Sequence, residues 1–138
     1  MALVLDTGPV VALLDSDDPD HRRCAELLTG SNEDLVIPTP VLVEIDYWVI
    51  KLAGPDPWAE FVTEITDGVF RLEHPTEGDL ARCAELERQY ADLDLGLVDA
   101  SVIAVCERLG EKKVATLDHR HFSIVKPRHC RRLELLPG

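Results

Sequence analysis

Short apolar runs alternate with longer amphipathic stretches along the whole chain. Leu3–Leu5 is the first run, and Leu35–Ile37, Val69–Leu72, Val114–Leu117 and Leu133–Leu136 repeat the pattern. They are short and continuous rather than alternating, which predicts strands covered on both faces, as in a parallel sheet. Helix signals fill the gaps between them. Thr7 or Gly8 caps a helix with Pro9 at its first position, running to about Asp15. Asp18-Pro19 repeats the cap-then-proline signal for a helix to about Thr29. Thr39-Pro40 opens a helix that Gly54-Pro55 stops, and Asp56-Pro57 starts another ending near Gly68. Thr76 with Asp79 three residues on resembles a capping box, ahead of a helix to about Ala91. Leu97–Leu109 is an apolar helix closed by Gly110, and a helical turn is expected around His119–Ser123. Strand and helix in alternation predict an α/β fold of three layers, α/β/α. Its central, mostly parallel sheet would have about five strands.

Two of the apolar runs lead into an acid. Leu3-Val4-Leu5 ends on Asp6, and Val114-Ala115-Thr116-Leu117 ends on Asp118. Each reads as a carboxylate at the C-terminal tip of a strand, the edge at which open α/β sheets bind ligands. Two such charges about 4 Å apart repel by roughly 4 kcal/mol at an effective dielectric near 20. A hard divalent cation with oxygen ligands removes that cost.

Two further acids sit in apolar helices. Glu44 lies within Val41-Leu42-Val43-Glu44-Ile45, and Asp99 lies in the first turn of the helix that begins Leu97-Val98. The positive end of a helix favours an ionised carboxylate at the second of these. Apolar flanks imply burial, and a buried carboxylate needs a partner. A metal serves all four at once. Each acid also has an ordinary structural reading: Asp6 as a helix cap, Asp118 as a turn residue, Asp99 as a first-turn acid, Glu44 as a surface acid competing with Asp46. Those last two point to nearly opposite helix faces. Thr7 and Thr116 place hydroxyls beside the acids, suited to orienting a carboxylate or a metal-bound water, or simply to capping and packing.

Composition narrows the field. At 138 residues the chain is read as a single domain, 1–138, long enough for a real core. No basic leader and no apolar stretch of about 18 residues is present, so a cytoplasmic protein with no membrane segment is expected. Four cysteines without a C-x-x-C pair make a zinc or redox motif a poor reading; Cys83 and Cys106 fall in apolar helical stretches and read as core. None of the five histidines has metal-ligand spacing; His119 and His121, flanking Arg120, read as surface residues within reach of phosphate. Phosphate-binding loops, dinucleotide fingerprints and the serine-hydrolase elbow are absent. The net charge of −12 argues against nucleic acid at first. From Glu111 onward, however, seven Lys/Arg face three acids, so this stretch carries +4 and the rest −16. Arg120, Lys126 and Arg128 within it are candidate phosphate contacts.

Four segments carry a family resemblance. Val4-Leu5-Asp6-Thr7-Gly8-Pro9, Pro40-Val41-Leu42-Val43-Glu44-Ile45, Leu95-Gly96-Leu97-Val98-Asp99-Ala100 and Thr116-Leu117-Asp118-His119-Arg120-His121-Phe122 stand in the order and at the separations of a PIN domain. The chain resembles in particular the VapC ribonuclease toxins of bacterial toxin–antitoxin pairs. The likeness runs nearly end to end and selects Glu44 over Asp46. It implies the PIN form of the α/β/α fold and a Mg²⁺-dependent endoribonuclease, with Mn²⁺ as substitute. Asp6, Glu44, Asp99 and Asp118 would be its catalytic and metal-binding residues, Asp6 and Asp99 foremost. A metal-activated water would cleave structured RNA, such as a tRNA or rRNA loop. The resemblance further implies a VapB-type antitoxin and a homodimer. The alternative is a degenerate PIN domain that only binds RNA or protein. A haloacid-dehalogenase-type phosphatase would want an acid where Gly8 stands, and a phospho-acceptor receiver would place its acids differently.

Overall fold

A computed structural model describes residues 1–138. Five strands form one sheet: β1 (Ala2–Leu5), β2 (Asp34–Pro38), β3 (Phe70–Glu73), β4 (Lys113–Ala115) and β5 (Glu134–Leu136). Their order across the sheet is β3-β2-β1-β4-β5, and every pairing is parallel. The chain builds outward from β1 to β3, then returns to lay β4 on the other side of β1. The β1/β4 boundary is therefore the switch point at which such sheets open a crevice beyond their strand ends.

Seven helices connect the strands. They are α1 (Thr7–Leu14), α2 (His21–Thr29), α3 (Thr39–Ala53), α4 (Pro55–Thr66), α5 (Glu77–Gln89), α6 (Leu97–Leu109) and α7 (His119–Ile124). The first four pack among themselves, and α5 packs against α6. Given the right-handed crossovers that parallel strands follow as a rule, the strand order sets these two groups on opposite faces of the sheet. All four residues of β1 are buried, as are Val36, Ile37, Val114 and Ala115, which explains why the runs of the three central strands are continuous; the edge strands β3 and β5 instead carry the exposed Arg71 and Glu134. Ile45, Phe61, Leu86, Ile103 and Phe122 fill the space between sheet and helices. Cys83 and Cys106 are core residues, and burial raises both thiols well above their ordinary range, to about 11 for Cys83.

Local chemistry sets the element ends. The Thr76–Asp79 capping box is formed in both directions, each bond at 3.0 Å. Gly54, at φ 93°, is the joint between α3 and α4, a conformation that favours glycine. The second helix starts later than Asp18-Pro19 suggests. Asp18 spends its carboxylate on the Asp20 amide (2.8 Å), a turn that delays the helix to His21. The fourth helix starts one residue early, at Pro55, because Gly54 already makes the break. The fifth stops at Gln89, and a 3-10 turn, Ala91–Leu93, leads toward α6. β4 stops at Ala115, not Leu117. Thr116 still donates its amide to Leu136 O, but its hydroxyl takes the Asp118 amide and turns the chain.

Candidate metal centre

Strand register brings the first pair of functional groups together. β1 and β4 pair as Leu5↔Ala115, so the next residues on each chain, Asp6 and Thr116, stand side by side just past the sheet. The Asp6 amide donates to Ala115 O (2.9 Å). The Thr116 hydroxyl donates to Asp6 Oδ2 (2.8 Å) and accepts from the Asp118 amide (2.9 Å). One fully buried hydroxyl thus orients a carboxylate from one end of the chain and the backbone of an acid from the other. Asp6 occupies the cap position of α1 without making the capping bond, so its side chain stays directed to the strand edge. Gly8 lies against Leu117; a Cβ there would meet the leucine side chain at 3.2 Å, and the absence of one lets α1 approach the turn that carries Asp118.

The other two acids arrive on helices. Thr7 donates its hydroxyl to Glu44 Oε1 (2.7 Å), tying the first turn of α1 to α3. Glu44, rather than Asp46, is the α3 acid whose charge acts on Asp6 and Asp99. Asp99 stands in the first turn of α6, half-buried. Asp118 caps α7, its Oδ1 accepting the His121 amide at 3.1 Å. The cap and the site reading of Asp118 are compatible, because Oδ2 remains for other partners.

The electrostatics are those of a site with too few cations. Asp6 is 6% exposed. Burial raises its carboxyl above the usual range, the Thr7 amide and Thr116 hydroxyl oppose this, and the Glu44 and Asp118 charges add to it. Asp99 is pushed up to about 6, first by burial, then by the Asp6 charge; His121 opposes, and Asp118 and Glu44 add. No Lys or Arg pairs with any of the four acids; the basic group within ion-pair distance is His121. An all-oxygen donor set, crowded, partly desolvated and short of positive charge, suits a hard divalent cation.

His121, which the sequence suggests is a surface residue, stands among the acids. Its Nδ1 lies 2.7 Å from Asp118 Oδ2 and 3.6 Å from Asp99 Oδ2. The signal was available: an Asp cap followed three residues later by His puts both side chains on one face of the first turn. The three phosphate candidates diverge. Arg120 is exposed on α7 beside the acids, and Lys126 is exposed where its amide meets the Tyr90 hydroxyl (3.0 Å). Arg128 is held elsewhere, its guanidinium on Glu85 (2.6 Å) and its amide on Glu107 (2.8 Å), towards the far end of α6. The largest concavity lies away from the four acids. A groove of about 640 Å³ opens at the opposite end of the strands, between Leu13, Leu28, Leu35, Pro57 and Phe70.

The family model described as the PIN domain matches residues 3–126. Ribonuclease VapC26 of Mycobacterium tuberculosis is 28% identical over 135 residues, spanning 98% of this chain and 100% of its own length. Two solved structures share the fold. The sarcin–ricin-loop-cleaving toxin VapC20 of Mycobacterium tuberculosis superposes with a TM-score of 0.82 at 21% identity, over 94% of this chain and 98% of its own. VapBC2 of Rickettsia felis, bound to a DNA fragment of its promoter, gives 0.67 at 17% identity, over 98% and 97%.

Proposed function

The chain belongs to the PIN-domain family, and from that premise we propose that it is a divalent-metal-dependent endoribonuclease of the VapC kind, the toxin of a toxin–antitoxin pair. The observation that carries the reading is the close set of Asp99, Asp118 and His121 at the β1/β4 edge, with Asp6 and Glu44 near enough for their charges to act on it and no lysine or arginine paired with any of the acids. The full-length likeness to a ribonuclease supports it.

Asp6 and Asp99 are the principal ligands in this reading, with Asp118 and Glu44 completing the set directly or through water. A bound Mg²⁺, or Mn²⁺ in its place, supplies an activated water and screens the charge that develops on the scissile phosphate. The chain's own part is positioning. Thr116 fixes the rotamer of Asp6, and Thr7 fixes that of Glu44. Burial holds Asp6 and Asp99 in surroundings where their attraction for a dication is little weakened by solvent. Arg120 and Lys126 line the approach for the RNA backbone; Arg128, committed to two glutamates, has the weakest case of the three. The ribose 2′-hydroxyl takes no part, so products carry 5′-phosphate and 3′-hydroxyl ends.

Structural neighbours that are toxin–antitoxin complexes support a VapB-type partner; the homodimer and the single-domain organisation are part of the same proposal and rest on the family resemblance alone. Val43, Tyr47 and Trp48 on α3 are exposed, as apolar side chains awaiting a protein surface would be. No helix is long and apolar enough to cross a membrane. The test is RNA cleavage with Mg²⁺ and with EDTA, for the wild type and Asp6→Asn. Cleavage that survives EDTA, or ends in 2′,3′-cyclic phosphate, refutes the mechanism. Binding without cleavage under any dication supports the degenerate alternative.

A further inference from the structure

We propose that His121 is itself a ligand of the dication, its Nδ1 forming a three-donor set with one carboxylate oxygen each from Asp99 and Asp118. The inference rests on the metal-dependent reading above and adds a nitrogen to what is otherwise an all-oxygen site. Donor atoms of the three residues all lie within 4.8 Å of one another. Adjacent ligands on a six-coordinate ion with bonds near 2.1 Å stand about 3.0 Å apart, and opposite ones about 4.2 Å. The observed 2.7 Å and 3.6 Å from Nδ1 to Asp118 and Asp99 fall around the first of these values.

The geometry also separates this from an ordinary ion pair. An imidazolium bridging two carboxylates would aim an N–H along a line to an oxygen. Nδ1 is buried from solvent, close to both acids, and makes no hydrogen bond of that kind. Its placement is fixed by backbone. The His121 amide donates to Asp118 Oδ1, so the two residues are locked across one turn, and the neighbouring Phe122 anchors that turn in the core. Asp118 thereby has Oδ1 on the helix cap and Oδ2 towards the imidazole. His119, on the same short helix, is exposed and outside the cluster.

A nitrogen donor changes metal preference. Mg²⁺ selects oxygen strongly, whereas a first-row ion such as Mn²⁺ accepts imidazole more readily. The intact protein should therefore bind Mn²⁺ more tightly than Mg²⁺. Replacing His121 should shrink that preference by about tenfold. The decisive measurement is pulsed electron paramagnetic resonance of Mn²⁺ bound to the wild-type chain, read for hyperfine coupling to a directly ligated nitrogen. The expected result is coupling in the wild type and in His119→Ala, and its loss in His121→Ala. His121→Gln serves as a second variant if the alanine form does not fold. Mn²⁺ bound without nitrogen coupling overturns this inference and leaves the ribonuclease reading standing. Coupling that persists in folded His121 variants also overturns it. Failure to bind any dication overturns both.

Discussion

Asp99→Asn should stabilise the metal-free protein, although it removes a charge that a helix start favours. Asp99 is pushed up to about 6 from its ordinary 3.8. At about 1.4 kcal/mol per pH unit, that sets a ceiling near 3 kcal/mol for the cost of keeping it ionised above neutrality. Its side chain is 24% exposed, so solvent screening lowers the cost to about 1–2 kcal/mol. The charge at the helix start returns about 0.3–1 kcal/mol. The net relief on substitution is then about 1 kcal/mol, or a rise in melting temperature of roughly 3–4 °C for a domain of this size. The sign with pH follows from proton uptake. Between about pH 4 and 6 the folded wild type holds a proton that the unfolded chain has lost, so its stability falls as pH rises through this window. The variant lacks the group and lacks the fall. Thermal unfolding in EDTA should show little difference near pH 4 and a variant advantage that levels off by pH 7. Mg²⁺ should close the gap by raising the wild type alone. A variant less stable than wild type at pH 8 in EDTA, or a gap independent of pH, refutes the account of a site strained by its own charges.

Thr116→Val should cost about 1–3 kcal/mol in urea unfolding, because Asp6 Oδ2 loses its donor and the Asp118 amide its acceptor in a buried setting; Thr116→Ser should restore most of it, and a valine variant as stable as wild type would deny the hydroxyl this role. Mg²⁺ affinity, followed by calorimetry from pH 5 to 8, should be flat above about pH 7 and fall by up to tenfold per unit below about 6, where Asp99 must first lose its proton; affinity unchanged at pH 5 would remove Asp99 from the ligand set. Arg120→Ala should weaken binding of single-stranded RNA and flatten its salt dependence by about 0.7 in log–log slope for each phosphate no longer neutralised, while Arg128→Ala should leave both unchanged; the reverse order would mean that RNA follows the Glu85 side of the molecule.

Much of the site can be read directly because its chemistry is local. Asp6 follows an apolar run that only a buried strand explains, so its place at a strand tip needs no coordinates; Asp118 follows a similar run, but β4 stops at Ala115 and Asp118 stands three residues on, as the cap of α7. Asp99 announces itself by lying in the first turn of an apolar helix. Glu44 is harder, since Asp46 fits the same helix equally well, and only the likeness to a family selected between them. His121 reads as a surface residue because exposed and half-buried first-turn histidines look alike in one dimension. Arg128 is the converse case. Its partners lie 43 and 21 residues away, and nothing near it in the chain betrays them.

Periodicity, caps and breakers depend on neighbours within a turn or a strand, and the linear order of residues settled these: a parallel α/β domain, the helix limits within a few residues, and four acids worth attention. Which strands lie side by side is a matter of long-range packing. The pairing of β1 with β4 sets Asp6 beside Thr116 across 110 residues. It also gathers four carboxylates and one imidazole at a single edge. Folding supplied that proximity, because the burial that drives strands together is non-directional along the chain and is decided by the whole core at once.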